Sequence, residues 1–312
     1  MSNRPLITIS VPVLNEEANV RNLHTALVKV LESLKKRYDF EIVFTDNAST
    51  DSTWDLLTDL SAKDKRVKAY RFTRNIGFQK SILMNYSLAS GEAVIQIDAD
   101  LQDPPELITA FLAEWEKGAR VVYGVREVRR EGFVNGLVRK MGYWVIDKLS
   151  EHPIPRGAGD FRLIDRRVVT TLLAQNNPRP YIRGTIAGMG FRSVGIPYNR
   201  SAREHGESKF PLSSVVKLGF SGILDNSLVP LRLASLLGGF FLVASILMII
   251  WTVISRLVDP SLPLGYASLL SVVLLGFGAN AMLIGIVSEY LLRVYLTVRA
   301  DPVGIIADTT VR

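Results

Sequence analysis

Two long stretches near the C-terminal end carry no charge at all, and they limit what the rest of the chain can be. No Asp, Glu, Lys or Arg lies between Arg232 and Arg256, and none lies between Asp259 and Glu289. Each stretch exceeds the roughly 20 residues that cross a ~30 Å hydrocarbon layer as a helix. Buried helices of a soluble core are the alternative. Two such runs joined by Asp259-Pro260-Ser261-Leu262-Pro263 fit a membrane hairpin better. They also concentrate the apolar excess that lifts the mean hydropathy to +0.20. Arg232, Arg293 and Arg299 flank the hairpin on one side, while the short turn holds only Arg256 and Asp259. The positive-inside rule then places the long N-terminal part and the C-terminus in the cytoplasm. Leu6–Leu14 is too short and too β-branched for a signal peptide, and Glu16-Glu17 follow at once, so none is expected.

Composition narrows the chemistry. The 312 residues include no cysteine, which excludes a disulfide framework and a thiolate metal site. His24, His152 and His205 are scattered, so a zinc site is not expected. The formal charge of +7 is read as attraction to anionic lipid and anionic substrates, not to nucleic acid.

The first two thirds alternates strand and helix. Leu6–Val13, Glu41–Thr45, Val67–Phe72, Ala93–Ile97 and Val121–Tyr123 read as strands, rich in Val, Ile and Phe. Helical patterns lie between them over Glu17–Lys36, Ser52–Ala62, Gln79–Leu88 and Glu106–Lys117. This alternation predicts an α/β domain with right-handed crossovers and a mainly parallel sheet. Ligands of such sheets bind at the carboxyl ends of the strands, and the polar clusters fall there. Strand one ends in Pro12-Val13-Leu14-Asn15-Glu16-Glu17 and strand two in Thr45-Asp46-Asn47. Strand three ends in Thr73-Arg74-Asn75-Ile76-Gly77 and strand five in Gly124-Val125-Arg126. Ordinary helix capping accounts for single members such as Thr50 or Asp51, but not for all of the clusters at one edge. Neither a phosphate-binding P-loop nor a Gly-x-Gly-x-x-Gly turn is present, so a nucleotide here would be held by side chains and a metal.

Strand four supplies the sharpest signal: Asp98-Ala99-Asp100, followed by Leu101-Gln102-Asp103-Pro104-Pro105. Carboxylates one residue apart at a strand end are expensive to desolvate unless a cation holds them. All-oxygen ligands of this kind suit Mg²⁺ or Mn²⁺, which commonly bridge a diphosphate.

Further along, Glu131–Lys148 is basic and partly amphipathic, with Arg139 and Lys140 beside Phe133, Met141 and Trp144. It reads either as a solvated helix face or as an approach for a lipid phosphate. Arg156-Gly157-Ala158-Gly159-Asp160 places an acidic residue between a glycine-rich turn and a short strand. A polar loop then carries Arg200, Arg203 and Lys209 into Leu212–Leu224, whose apolar spacing suits a helix lying in the membrane interface.

Taken together, the chain resembles glycosyltransferase family 2 enzymes of GT-A fold. More narrowly, it resembles the polyprenyl-phosphate glycosyltransferases, which include dolichol-phosphate mannose synthases and bactoprenol glucosyltransferases. The stretches that carry the resemblance are Val11–Glu17, Phe44–Asp46, Arg74–Gly77, Asp98–Glu106, Gly159–Leu163 and Gly206–Phe210, with the paired apolar runs. The resemblance implies that Pro12, Val13, Glu16, Asp46, Asn75 and Asp98 contact the donor nucleotide. It implies that Asp98, Asp100 and Gln102 hold a divalent metal and the diphosphate, and that Arg203 and Lys209 close over the donor. Arg126 and Arg139 would meet the acceptor phosphate, and Arg200 could share in offsetting its charge. Asp160 joins Asp100 and Arg126 as a catalytic candidate, as an orienting group or as a base. Asn47 and Asn85 depart from the pattern, standing where an acidic residue and a glycine are common.

The expected reaction is inverting transfer of a sugar, foremost glucose from UDP-glucose, to undecaprenyl phosphate at the inner membrane. GDP-mannose, UDP-N-acetylglucosamine and UDP-aminoarabinose are alternative donors. A processive polysaccharide synthase is disfavoured because the chain has no Gln-x-x-Arg-Trp motif. A non-catalytic membrane-tethered nucleotide-sugar scaffold is the reading outside enzymes. The expected organisation is a cytosolic GT-A domain over 1–210 and an interfacial helix over 211–229. Two spans, 230–257 and 264–292, and a cytosolic tail over 293–312 complete it. Gly238, Gly239, Gly276, Gly278, Ala281 and Gly285 offer surfaces for close helix packing, within the hairpin or between subunits, and a homo-oligomer is expected.

Overall fold

The computed structural model describes residues 4–126, 158–175, 177, 181–199, 265–299 and 302–311, with scattered helical positions between 236 and 258. The N-terminal part begins β1 (Leu6–Val13), α1 (Val20–Leu34), β2 (Asp39–Asp46), α2 (Thr53–Lys63), β3 (Val67–Phe72), α3 (Phe78–Leu88) and β4 (Ala93–Gln96). It continues α4 (Leu107–Glu116), β5 (Val121–Arg126), β6 (Ala158–Asp165), α5 (Arg166–Ala174), α6 (Ile182–Gly188) and β7 (Ser193–Tyr198). After the apolar region come α7 (Tyr266–Arg299) and β8 (Ile306–Thr309).

The strands form one eight-stranded sheet in the order β7-β5-β6-β4-β1-β2-β3-β8. Pairs β1–β2, β1–β4, β2–β3 and β5–β7 are parallel, so β1 to β5 end on one edge, as β-α-β crossovers require. Two strands run the other way. β6 lies antiparallel between β4 and β5, and β8 lies antiparallel against β3. The sheet is therefore mainly parallel, as the sequence predicts, with two antiparallel strands, β6 and β8, that the sequence pattern does not reveal.

Side-chain alternation divides the core into two layers. Ile7, Ile9, Val11 and Val13 of β1 face α1, α2 and α4 together with Ile95, Leu163 and Phe161. Val94, Val121 and Ile164 face α3, α5 and α6. Phe111 packs on Phe161 with ring centroids 4.7 Å apart. Each fully buried side chain of this size contributes about 1.5–3 kcal/mol. The α3 side of β1, β2 and β4 is polar by contrast. Ser10 donates to Gln96 at 2.6 Å, and the Thr45 and Ser81 hydroxyls meet at 2.9 Å. These pairs satisfy hydroxyls that the helix cover removes from water.

Helix α7 has 34 residues, and at 1.5 Å per residue is about 51 Å long. Its segment Leu275–Leu296 is long and apolar enough to cross a membrane, and none of it is buried against the protein. The described positions between 236 and 258 are all helical, and Leu236, Phe240, Trp251 and Val258 are exposed there. The rest of the first expected span, the interfacial helix 211–229 and the basic segment 131–148 lie outside the described residues. The expected tail 293–312 begins as the last turns of α7 and ends as β8. Phe72 pairs with Ile306, Arg71 with Asp308 and Tyr70 with Thr309. Beyond β8, the Thr310 hydroxyl takes hydrogen bonds from the Ala69 amide at 3.0 Å and from the Ser61 hydroxyl at 2.9 Å.

Thr310→Val removes the acceptor for both donors while keeping the side-chain shape. Thermal unfolding of the detergent-solubilised chain should show a loss of about 1 kcal/mol, or a few degrees in Tm. An unchanged melt would mean that β8 does not pair with β3 in solution.

Candidate active site

Three loops at the carboxyl edge are built on strained backbone. Asn15, Ala48 and Leu101 have positive φ values of 54°, 59° and 55°, and they are the only non-glycine residues to do so among those described. Each follows a parallel strand (β1, β2 and β4), so the conformation that side chains resist is confined to one edge. Hydrogen bonds hold the first two loops together. The Asn15 amide donates to Ser49 Oγ at 2.9 Å, and the Thr50 amide donates to Asn15 Oδ1 at 2.8 Å. The Glu16 amide donates to Thr53 Oγ1 at 2.9 Å, and Glu16 Oε2 accepts from Asn19 at 2.6 Å.

The residues expected to contact a donor nucleotide meet along this edge. Pro12 and Val13 are buried at the end of β1, beside Thr45 and Asp46 of β2. Asp46 is fully buried, accepts from the Ser49 amide at 2.9 Å and lies 3.3 Å from the Arg71 guanidinium. Arg71 in turn stands over the Trp54 ring at 5.8 Å. Asn75 is exposed on the β3–α3 loop, where its Oδ1 accepts from Asn47 at 2.9 Å and from the Gly77 amide at 2.9 Å. Asn47 Oδ1 also accepts from the Ile76 amide at 2.8 Å, so Asn47 braces one loop against the next.

Beyond β4 lies the carboxylate cluster. Asp100 is buried, and its Oδ1 accepts from the Gln102 amide at 3.2 Å. Asp98 Oδ1 is buried with no hydrogen-bond partner among the described residues. Burial first, then the negative charges of Asp160, Asp103 and Asp100, push the Asp98 carboxyl up to about 7, against the opposing pull of Arg126. An acid with this surrounding stands near half-protonated at neutral pH.

Reversal of β6 completes the cluster. Gln96 pairs with Arg162 across β4 and β6, and Val125 pairs with Ala158 across β5 and β6. Because β6 runs antiparallel, it brings Asp160 to this edge from its beginning instead of its end. Asp160 lies within β6, not in a turn before a strand as the glycines Gly157 and Gly159 suggest. Gly159 leaves room for the Arg126 guanidinium, which a Cβ would approach to 2.8 Å. The Asp160 carboxylate is buried, yet its pKa is lowered. Burial acts to raise it, but the Arg183 hydrogen bonds and the charges of Arg183, Arg162 and Arg126 prevail.

Arg126 ends β5 opposite Tyr198 of β7. Its Nε donates to the Tyr198 hydroxyl at 3.2 Å, and its Nη2 lies 3.7 Å from Asp103 Oδ2. Tyr198 donates to Asp103 Oδ1, and burial with this partner pushes the phenol up to about 12. Asp103, Arg162, Tyr198 and Arg183 are site neighbours that sequence reasoning left unassigned. Asp103 stood within the acidic motif and could have been found. Arg162 stood within the Gly159–Leu163 stretch, whereas Tyr198 and Arg183 belong to no motif. Arg139, Arg200, Arg203 and Lys209 lie outside the described residues.

The donor set fits a divalent cation. Asp98 offers a buried oxygen without a partner, in a field of like charges that a cation would relieve. Among the described residues no three acidic, histidine or cysteine groups form a closed ligand set. Oxygen donors of this kind suit Mg²⁺ or Mn²⁺ better than zinc.

Comparison with known proteins places the chain in a family. Residues 8–173, more than half of the chain, match the model of glycosyl transferase family 2. The uncharacterized glycosyltransferase YkcC of Bacillus subtilis (strain 168) is 34% identical over 98% of this chain and 94% of its own. The SfII prophage-derived bactoprenol glucosyl transferase of Shigella flexneri is 34% identical over 96% and 97%. The bactoprenol glucosyl transferase of Shigella phage SfV is 33% identical over 97% and 98%. With a rim of carboxylates at the ends of β4 and β6 and relatives matched along nearly its whole length, the chain belongs to glycosyltransferase family 2.

Proposed function

We propose that this chain transfers glucose from UDP-glucose to undecaprenyl phosphate on the cytoplasmic face of the inner membrane, with inversion. The observation that carries the lipid acceptor is the register of β8. This strand starts beside Phe72, the last residue of β3, so the chain arrives from α7 at the edge that bears Asp98. Ile306 follows the end of α7 by seven residues, a reach of at most about 25 Å. The end of an apolar, unburied helix and the carboxylate cluster thus share one side of the sheet, which supports an acceptor delivered from a bilayer. Relatives whose names specify bactoprenol glucosyl transfer support the same acceptor and sugar. GDP-mannose, UDP-N-acetylglucosamine and UDP-aminoarabinose remain alternatives because sugar choice rests on a few pocket contacts. The scaffold reading requires the acidic cluster to be retained without chemistry.

The chemistry follows from the charges. A phosphate-monoester oxygen attacks the anomeric carbon, and the bond from that carbon to the UDP oxygen breaks on the opposite face. The acceptor is already anionic, so no proton must be removed from it. The difficulty is bringing one anion up to another. Arg126 faces this edge and offsets the repulsion, with Arg139 and Arg200 as further cations in this reading. Asp98, Asp100 and Gln102 would hold Mg²⁺ or Mn²⁺, which when bound neutralises charge on the departing diphosphate.

Membranes from cells expressing the chain, supplied with undecaprenyl phosphate, should move label from UDP-glucose into organic-extractable lipid in preference to the other three donors. Preference for another donor would replace glucose. No labelled lipid from any donor, with UDP still bound, would favour the scaffold.

The raised Asp98 carboxyl gives a pH test. The folded state binds this proton more tightly than the unfolded chain, so the stability it contributes is present at acid pH. That contribution is lost as pH rises from the ordinary carboxylate range through about 7. A cation must displace the same proton. Mn²⁺ affinity of the purified chain should therefore tighten about tenfold per pH unit below 7 and level off above it. Asp98→Asn should abolish that slope. Binding independent of pH in the unaltered chain would remove Asp98 from the metal site.

A further inference from the structure

Asp160 faces two arginines that differ in what they can reach. Arg162 is 5% exposed, lies 3.6 Å from Asp160 Oδ1, and donates to the Gly159 carbonyl at 2.6 Å. It is locked inside the sheet. Arg183, near the start of α6, pairs with both oxygens of the carboxylate. Its Nε donates to Oδ1 at 2.8 Å and its Nη2 donates to Oδ2 at 2.6 Å, a planar two-point contact. Arg183 nevertheless keeps 30% of its side chain exposed, against 5% for Asp160. Its Nη1 has no hydrogen-bond acceptor among the described residues. The position of the pair is fixed from outside as well, because the Ile182 amide donates to Gln79 Oε1 at 3.3 Å and ties α6 to α3.

This geometry is poor for proton abstraction and good for anion binding. Both Asp160 oxygens already accept from a guanidinium, and the charges around them lower the basicity that a proton acceptor needs. A guanidinium held flat by a buried carboxylate keeps its remaining edge in one orientation, which removes most of the rotamer entropy that an isolated arginine loses on binding. Asp98 lies close enough for its charge to act on Arg183, so the pair borders the carboxylate cluster.

We propose that Arg183 binds a phosphate oxygen of a substrate at this edge and that Asp160 is its positioning residue, not the base of the reaction. The inference rests on the glycosyl-transfer reading for its consequences in turnover, but not for its binding arm. Two substrates could supply the oxygen: the nucleotide diphosphate and the lipid phosphate.

The test uses the full chain in detergent, with UDP plus Mn²⁺ and, separately, farnesyl phosphate as probes, followed by calorimetry. Arg183→Met should weaken one probe at least tenfold, and which one identifies the source. Arg183→Lys, which retains a cation beside the buried carboxylate and guards against misfolding, should recover part of that loss. In turnover, Asp160→Asn keeps the shape and one acceptor oxygen. It should lower kcat/KM less than Arg183→Met does, and the double variant should be no worse than Arg183→Met alone. Unweakened binding of both probes by a folded Arg183→Met would overturn the proposal. So would a thousandfold loss of kcat in Asp160→Asn with both probes still bound normally, because that is the behaviour of a lost base. Absence of turnover in the unaltered chain with every donor would instead refute the transfer reading, leaving the binding comparison intact.

Discussion

Negative charge gathered at the ends of β4 and β6 governs the architecture around it. Asp98, Asp100, Asp103 and Asp160 converge where the sheet also turns away from solvent, and burial together with the other three charges pushes the Asp98 carboxyl up. Three of them have found partners: Asp160 in Arg183, Asp103 in Tyr198, and Asp100 in the Gln102 amide. Asp98 has an oxygen that none of these groups reaches. The protein thus spends cations on the flanks of the cluster and leaves its centre acidic. That is the arrangement expected of a surface that receives a positive ion together with a diphosphate, and it is unfavourable for a surface meant to stay empty.

The reversed strand β6 is what makes this concentration possible. In a wholly parallel sheet each strand would contribute only its carboxyl end to the edge, and neighbouring strands would be separated by helical crossovers. Inserting β6 antiparallel between β4 and β5 lets the first residues of one strand meet the last residues of two others. Glycine at 159 and at 124 then clears room for large side chains. A Cβ at Gly124 would meet the Tyr198 ring at 2.6 Å. A side chain at either position would make Arg126 or Tyr198 shift from the place it takes beside Asp103.

Much of this was legible in the sequence because it depends on local pattern. Leu6–Val13 and Val67–Phe72 are rich in apolar, β-branched or aromatic residues and bounded by polar turns, and they form strands with those same limits. Helix ends were less sharp. Glu17, Ala18 and Asn19 look helical, but the Glu16 carbonyl takes the Asn19 and Val20 amides in a turn before α1 begins. Other features depend on contacts between distant residues and leave little trace. β7 contains Gly195 and Pro197, which weaken a strand signal, and Pro197 is tolerated because β7 is an edge strand. β8 is four residues long. The pairing of Arg183 with Asp160 joins residues 23 apart, on a short helix and a strand that no periodicity links. The acidic motif announced a site, whereas the cations that shape it had to be seen in three dimensions.

The edge strand β8 connects the two halves of the molecule in more than a topological sense. It covers the open side of β3, whose unpaired amides would otherwise invite pairing with another chain. The segment leading into it lies against the donor-side loops: the Thr73 amide donates to the Ile305 carbonyl at 3.0 Å, and a Cβ on Gly304 would come 2.9 Å from Ile76. Ile76 belongs to the loop that Asn47 braces through its amide. From Gly304 and Ile305 to the Asn47–Asn75 contact the path therefore runs through a handful of neighbouring residues. The strand that follows the apolar helix in sequence thus borders one wall of the candidate nucleotide site.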